Sequence, residues 1–235
     1  MITLGIETTT SLLSIVIMRD GSVISSLEVN AGQSHSINII DMIQKAFEWG
    51  SVKKSDVDLI AVDVGPGSFT SIRTGVSTAR AMAQFGSVSI VSVTSLDVLY
   101  QNFVNLKESI GERISTQNVI SMIDGRKKRV FASVYRNGKA IEENLDIDPL
   151  ELMNQFKDNE EITVFIGNGA KLYRDIIVKE FQEKAIFLPD QYDFPHARFV
   201  AVLGRQKMLE SGDEKYNDVL PNYIRKSDAE LLKNK

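Results

Sequence analysis

Cysteine is missing from this 235-residue chain, which excludes disulfides, thiolate metal centres and cysteine nucleophiles at the outset. Histidine is nearly missing as well, with His35 and His196 the two in the sequence. Each is expected at the start of a helix, and the residues four positions on are Ile39 and Val200. Neither therefore forms the His-x-x-x-His pair that sets two imidazoles on one helical face, so a metalloprotease reading fails and no metal site is expected. Each histidine reads as a hydrogen-bonded or solvated residue of a helix N-terminus. Basic charge is not in surplus: 27 Lys and Arg stand against 31 Asp and Glu, a net charge of −4. That balance gives no electrostatic footprint for wrapping DNA or adhering to an anionic membrane. No apolar run approaches the roughly 18–20 residues of a membrane span. The opening Met1-Ile2-Thr3-Leu4-Gly5-Ile6-Glu7 lacks a basic stretch and reaches a carboxylate too early for a secretory signal. A cytoplasmic location is the expectation.

What is present is an ordinary globular composition, 43% hydrophobic and 25% charged, at a length that suits one large domain or two small lobes. Residues 2–7, 12–18 and 23–29 read as three strands, with Asp20-Gly21 marking a tight hairpin turn. The same plan returns at 119–124 and 130–135, followed by Asn137-Gly138 and a third run from 139, and one spacing separates both Glu7 from Asp124 and Gly21 from Gly138. Downstream, 59–64 leads into Gly65-Pro66-Gly67 and a helical stretch, as 162–166 leads into Gly167-Asn168-Gly169 and another. An internal repeat of this kind predicts two α/β lobes with mixed sheets, divided here as 1–103 and 104–235. Helices are expected at about 34–49, 70–85, 171–184 and 197–209, the last two closing the second lobe.

Four features bear on chemistry. Gly65-Pro66-Gly67-Ser68 sits between a strand and a helix, where backbone N–H groups can receive an anion. It lacks both the P-loop lysine and the three-glycine dinucleotide fingerprint, and a plain tight turn is the simpler use. In the helix that follows, Ser71, Gly75, Ala79 and Ala83 form a ridge of small side chains flanked by Ile72 and Val76. The preceding helix carries an apolar stripe of Ile39, Ile40, Ile43, Ala46 and Phe47. Packing within the lobe and docking of a partner are both open for these faces. Glu7 and Asp124 end equivalent strands and could face each other across a nucleotide cleft together with Gly65, Gly67 and Gly167; acceptance of hydrogen bonds from their own turns is the simpler expectation. Arg126-Lys127-Lys128-Arg129 is a local cationic run, able to meet RNA or an acidic partner or simply to remain solvated.

These pieces resemble the TsaB (YeaZ) family, the non-catalytic paralogues of the threonylcarbamoyl-transferase TsaD. The resemblance rests on I-E-T-T-T-S at the start, His35-Ser36, G-P-G-S-F-T-S-I-R-T-G over 65–75, V-T-S-L over 93–96, D-G-R-K-K-R-V-F from Asp124 and P-N-Y-I-R from Pro221, in family order from end to end. It implies the two-lobed fold of the actin, Hsp70 and sugar-kinase superfamily, with duplicated mixed-sheet lobes. It also implies a subunit without catalytic residues or cofactors of its own, required for the N6-threonylcarbamoyladenosine modification of tRNA. Such a subunit pairs with TsaD through the two helices of its N-terminal lobe, is joined by the ATPase TsaE, and meets tRNA only within the complex. Where the transferase carries its His-x-x-x-His metal pair, this chain has Ser95 and Leu99, which cannot bind metal as imidazole does. The predicted docking surface is then Ile39, Ile40, Ile43, Phe47, Ser71, Ile72, Gly75, Val76, Ala79 and Ala83. The same surface would pair with itself when the partner is absent, and Gly75→Leu or Ala79→Leu would block association while leaving the monomer folded. The chain departs from the family in having Glu7 for Asp and Ser71 for Gly, and the longer Glu7 side chain weakens the case for nucleotide or metal in that cleft. The charged tail 226–235 is either disordered or in contact with tRNA or TsaE. An ATP-dependent phosphotransferase or ATPase of the same superfamily is the alternative.

Overall fold

Both hairpin turns form as the Asx-Gly pairs dictate. Asp20 and Gly21 have φ of 50° and 88°, and Asn137 and Gly138 have 52° and 80°, the doubly positive geometry that matches the right-handed twist of the flanking strands. The computed structural model describes residues 1–30, 32, 35–110, 118–157 and 161–225. The tail 226–235, read above as either disordered or in contact with tRNA or TsaE, lies outside them.

One unit comprises residues 1–98 and 195–222. Its strands are β1 (Ile2–Glu7), β2 (Leu12–Arg19), β3 (Ser22–Asn30), β4 (Leu59–Asp63) and β5 (Ser89–Val93), in the order β3-β2-β1-β4-β5. The hairpin strands pair antiparallel, and β1, β4 and β5 run parallel. Alternate residues of one strand point to opposite faces, and both faces here are apolar. Leu4, Ile6, Ile15, Ile17, Ile60 and Val62 pack under α1 (His35–Gly50) and α2 (Phe69–Gly86). On the other face Val16, Met18 and Ala61 pack against α7 (Ala197–Ser211).

That placement corrects two expectations. Helix α7 covers β1, β2, β4 and β5 of the first unit instead of closing the second, and the division falls after Val98 instead of at 103. Small residues make the seat: a Cβ on Gly5 would stand 2.5 Å from the carbonyl oxygen of Ala197, and one on Gly204 2.4 Å from Ala61 Cβ.

The other unit holds residues 99–194 and the chain from Tyr223. Its strands are β6 (Asn118–Asp124), β7 (Val130–Arg136), β8 (Lys139–Ile147), β9 (Thr163–Ile166) and β10 (Ala185–Phe187), in the order β8-β7-β6-β9-β10. Strand for strand this is the order of the first sheet, so the duplication read from the sequence is real. Helix α3 (Ser95–Ile110) precedes β6, and α4 (Pro149–Phe156) follows β8. Asp148 caps α4 by accepting from Leu150 and Glu151 N–H, with Pro149 in the first turn. The single helix expected at 171–184 is broken into α5 (Asn168–Leu172) and α6 (Arg174–Phe181) at Tyr173. Leu152, Met153, Ala170, Ile177 and Phe181 of these helices bury against Ile120, Met122, Val134 and Phe165 of the sheet. Among the described residues, no helix is long and apolar enough to cross a membrane.

Candidate functional site

Parallel strands place their carboxyl ends side by side, and in an open α/β sheet those ends are where ligands are held. In the first unit Glu7 ends β1 and Asp63 ends β4, while Ser95 opens α3 just beyond β5. All three are fully buried. Glu7 Oε1 accepts from the N–H and the hydroxyl of Thr9, each at 2.6 Å. Asp63 Oδ1 accepts from Gly65 N–H at 2.8 Å and from the Ser95 hydroxyl at 2.7 Å, and Ser95 Oγ lies 3.0 Å from Thr9 Oγ1. Burial is the main cause that raises the pKa of Glu7; Asp63, also buried and beside the charge of Glu7, is pushed well above the usual carboxylate range. Glu7 was expected to serve its own turn, and it does. Asp63 was not singled out, although a carboxylate inside the apolar run 59–64 was the available signal.

The Gly-Pro-Gly turn is closed by the chain itself. Ser68 N–H donates to the Thr9 carbonyl at 2.7 Å, and a Cβ on Gly67 would stand 2.2 Å from that same oxygen. The Thr8 hydroxyl donates to the Ser71 carbonyl at 2.8 Å, and a Cβ on Gly75 would stand 2.3 Å from Thr8 Oγ1. Gly67 and Gly75 are thus glycine because the turn after β1 lies directly against the start of α2. The backbone donors of Gly65 and Ser68, considered above for an anion, serve Asp63 and Thr9.

In the second unit Asp124 ends β6. Its Oδ1 accepts from Arg126 N–H at 2.8 Å, and its own N–H donates to Asn168 Oδ1 at 2.9 Å. Gly167 packs on β6 so closely that a Cβ would meet the Met122 carbonyl oxygen at 2.2 Å. The cationic run forms an exposed turn in which Arg126, Lys127 and Lys128 all have positive φ. His196 immediately precedes α7 with Nδ1 2.7 Å from Glu28 Oε1, the hydrogen-bonded helix start expected of it. His35 opens α1; its side chain is outside the described part.

The predicted docking residues need correction. Ile39, Ile43, Phe47, Ser71, Ile72, Gly75, Val76, Ala79 and Ala83 are buried, and the apolar ones belong to the core of their own unit. The stripe and the ridge are the inner faces of α1 and α2. Ile40 alone of the predicted set is exposed, at 61% against 4% for Ile43. The large apolar side chains exposed on the described part of these helices are Ile37, Ile40, Trp49 and Phe85. Gly75→Leu is therefore a core substitution and would not leave the monomer folded.

Two mixed sheets of identical strand order, with turns gathered at the carboxyl ends of parallel strands, define a two-lobed α/β protein of the actin, Hsp70 and sugar-kinase class. A ROK family protein from Streptococcus pneumoniae TIGR4 shares this fold, with a TM-score of 0.50 over 88% of this chain and 100% of its own at 9% identity. Within that class, the chain belongs to the family described as TsaD, tRNA N6-adenosine threonylcarbamoyltransferase, whose model matches residues 28–233. The tRNA threonylcarbamoyladenosine biosynthesis protein TsaB of Bacillus subtilis (strain 168) is 24% identical over 231 residues, covering 97% of this chain and 95% of that protein. The TsaB of Escherichia coli (strain K12) is 23% identical over 234 residues, covering 96% and 95%. The structure of YeaZ from Pseudomonas aeruginosa superposes with a TM-score of 0.77 at 20% identity, over 95% of this chain and 100% of that one.

Proposed function

We propose that this chain is a non-catalytic subunit in the biosynthesis of tRNA N6-threonylcarbamoyladenosine, and that it acts by docking on the transferase TsaD. Relatives named for that biosynthesis align with it over nearly the whole length of both chains. The observation that carries the non-catalytic reading is the closed state of the strand ends in the first unit. Ser95, at a position where the transferase resemblance expects a metal-binding histidine, is fully buried, donates its hydroxyl to Asp63 and lies against the Thr9 hydroxyl. Leu99, at the other, is buried and apolar. The turn that would cradle phosphate is bonded to Thr9.

Docking falls to the outer faces of α1 and α2. Ile37 and Ile40 lie three residues apart on one face of α1, and Trp49 and Phe85 end the two helices with their rings in solvent. Large apolar groups left exposed on a helix mark an interaction surface, and Ile37 with Ile40 is the pair that shares one face here. TsaE joins the same assembly, tRNA is met within it, the site of action is the cytoplasm, and self-pairing through these helices covers the surface when TsaD is absent. The test is copurification with TsaD. Ile40→Asp folds with an unchanged melting temperature and fails to copurify; an Ile40→Asp protein that still copurifies overturns the assigned face.

A further inference from the structure

The hydrogen-bond inventory of the buried cluster is incomplete by one hydrogen. Glu7 Oε1 has the two donors of Thr9, and Asp63 Oδ1 has those of Gly65 and Ser95. The second oxygens, Glu7 Oε2 and Asp63 Oδ2, are buried with no donor among the described residues, although the two residues directly follow the paired Ile6 and Val62 on adjoining parallel strands and each carboxyl shifts the titration of the other. Ionised carboxylates have only acceptors. Two such groups in contact, removed from water, would combine desolvation with like-charge repulsion and leave both oxygens unmatched. One proton placed between them satisfies both.

We propose that Glu7 and Asp63 hold a single proton between them, carried on Asp63 Oδ2 and donated to Glu7 Oε2, so that the pair bears one negative charge inside the first unit at neutral pH. The assignment follows from the neighbours. Asp63 Oδ1 and Glu7 Oε1 each receive two donors, so the choice between them falls to the surroundings: burial and the charge of Glu7 disfavour an ionised Asp63. Facing the pair are the hydroxyls of Thr9 and Ser95 and, from the start of α7, His196, whose charge favours an ionised Glu7 and which is paired with Glu28 of β3. The shared proton ties the end of β1 to the end of β4, and with them the turn over Thr8 and Thr9 to the Gly65-Pro66-Gly67 turn. Loss of the proton sets two charges against each other beneath the contact of Ser68 with Thr9, so this closure loosens at alkaline pH.

The direction of the pH dependence is fixed. Unfolded carboxyls release their protons near pH 4, while the folded pair keeps one, so above that pH the folded state binds more protons and stability falls as pH rises until the shared proton is lost. In Asp63→Asn the amide nitrogen donates to Glu7 Oε2 in place of the proton, and the amide oxygen keeps Gly65 and Ser95. The experiment is infrared spectroscopy of the folded protein slightly above neutral pH, with urea unfolding across pH. Asp193, pushed up to about 6 chiefly by burial, is largely ionised there and does not contribute an acid band. Wild type is expected to show a protonated carboxyl C=O band that Asp63→Asn lacks, and its unfolding midpoint is expected to fall, relative to that variant, as pH rises. Glu7→Gln also loses the band, because the glutamine amide replaces the proton and Asp63 ionises; it provides the reading if Asp63→Asn does not fold. His196→Gln keeps the band, which separates the pair from the His196–Glu28 contact. Wild type without an acid band, or a band that survives in both carboxyl variants, overturns the proposal.

Discussion

Thr9 holds the first unit's strand ends together through three groups: its N–H and hydroxyl on Glu7, and its carbonyl on Ser68 N–H. The fit around this turn leaves no volume for a methyl group at Gly67 or Gly75. Gly75→Ala should therefore destabilise the protein by about 1–3 kcal/mol in urea unfolding, and Gly75→Leu by more, since close-packed interiors resist added atoms. A Gly75→Ala protein as stable as wild type would show that α2 can move away from Thr8. Glu7 and the Gly-Pro-Gly motif were legible as sequence, because a carboxylate and a glycine pair at strand ends stand out. Their partners were not. Thr9 and Ser95 are ordinary polar residues until the parallel register of β1, β4 and β5 brings their loops together, and sequence spacing carries no trace of that register.

Elements are fastened by side chains that bridge them. Asp146 of β8 accepts from Arg129 Nε and from Arg225 Nε, both at 2.8 Å, and Arg225 reaches the Gly125 carbonyl at 2.8 Å. Arg225, followed by Arg129, holds the Asp146 carboxyl below its usual range. Its contribution is present above about pH 4 and lost as pH falls through the depressed value. Asp146→Asn should lower stability at neutral pH by about 1–2 kcal/mol and flatten the acid limb of an unfolding-versus-pH series; an unchanged acid limb would contradict it. On α1, Ile43→Asp puts a charge into the core and should prevent folding, whereas Ile40→Asp, on the exposed face, should stay within about 0.5 kcal/mol of wild type by thermal melting. The helical periodicity of α1 and α2 was legible, but which face turns inward was not. A narrow stripe of large apolar or small residues suits a core and an interface equally, and the sheet beneath decides between them.

At the scale of the whole molecule, the duplication was legible because the second hairpin of each unit carries an Asx-Gly turn and β4 and β9 each exit through Gly-x-Gly. The return of α7 to the first unit was not, since nothing local in 197–211 names the sheet it covers. The signal lay elsewhere, in strands β1, β2 and β4 that are apolar on both faces and therefore need two layers of cover. A fragment ending at residue 194 should fail to fold its first unit, exposing Val16, Met18 and Ala61 to solvent; a cooperative melt with native-like circular dichroism from that fragment would contradict this. The central claim is that the chain supports a transferase without performing the chemistry. It is tested most directly by reconstituting tRNA threonylcarbamoylation from TsaD, TsaE, the adenylate-forming enzyme and unmodified tRNA, with this protein present or omitted. The account predicts modified tRNA only when it is present, and no turnover of ATP by the protein alone. Full modification without it, or ATP hydrolysis by the isolated chain that falls on Glu7→Gln, would contradict the account.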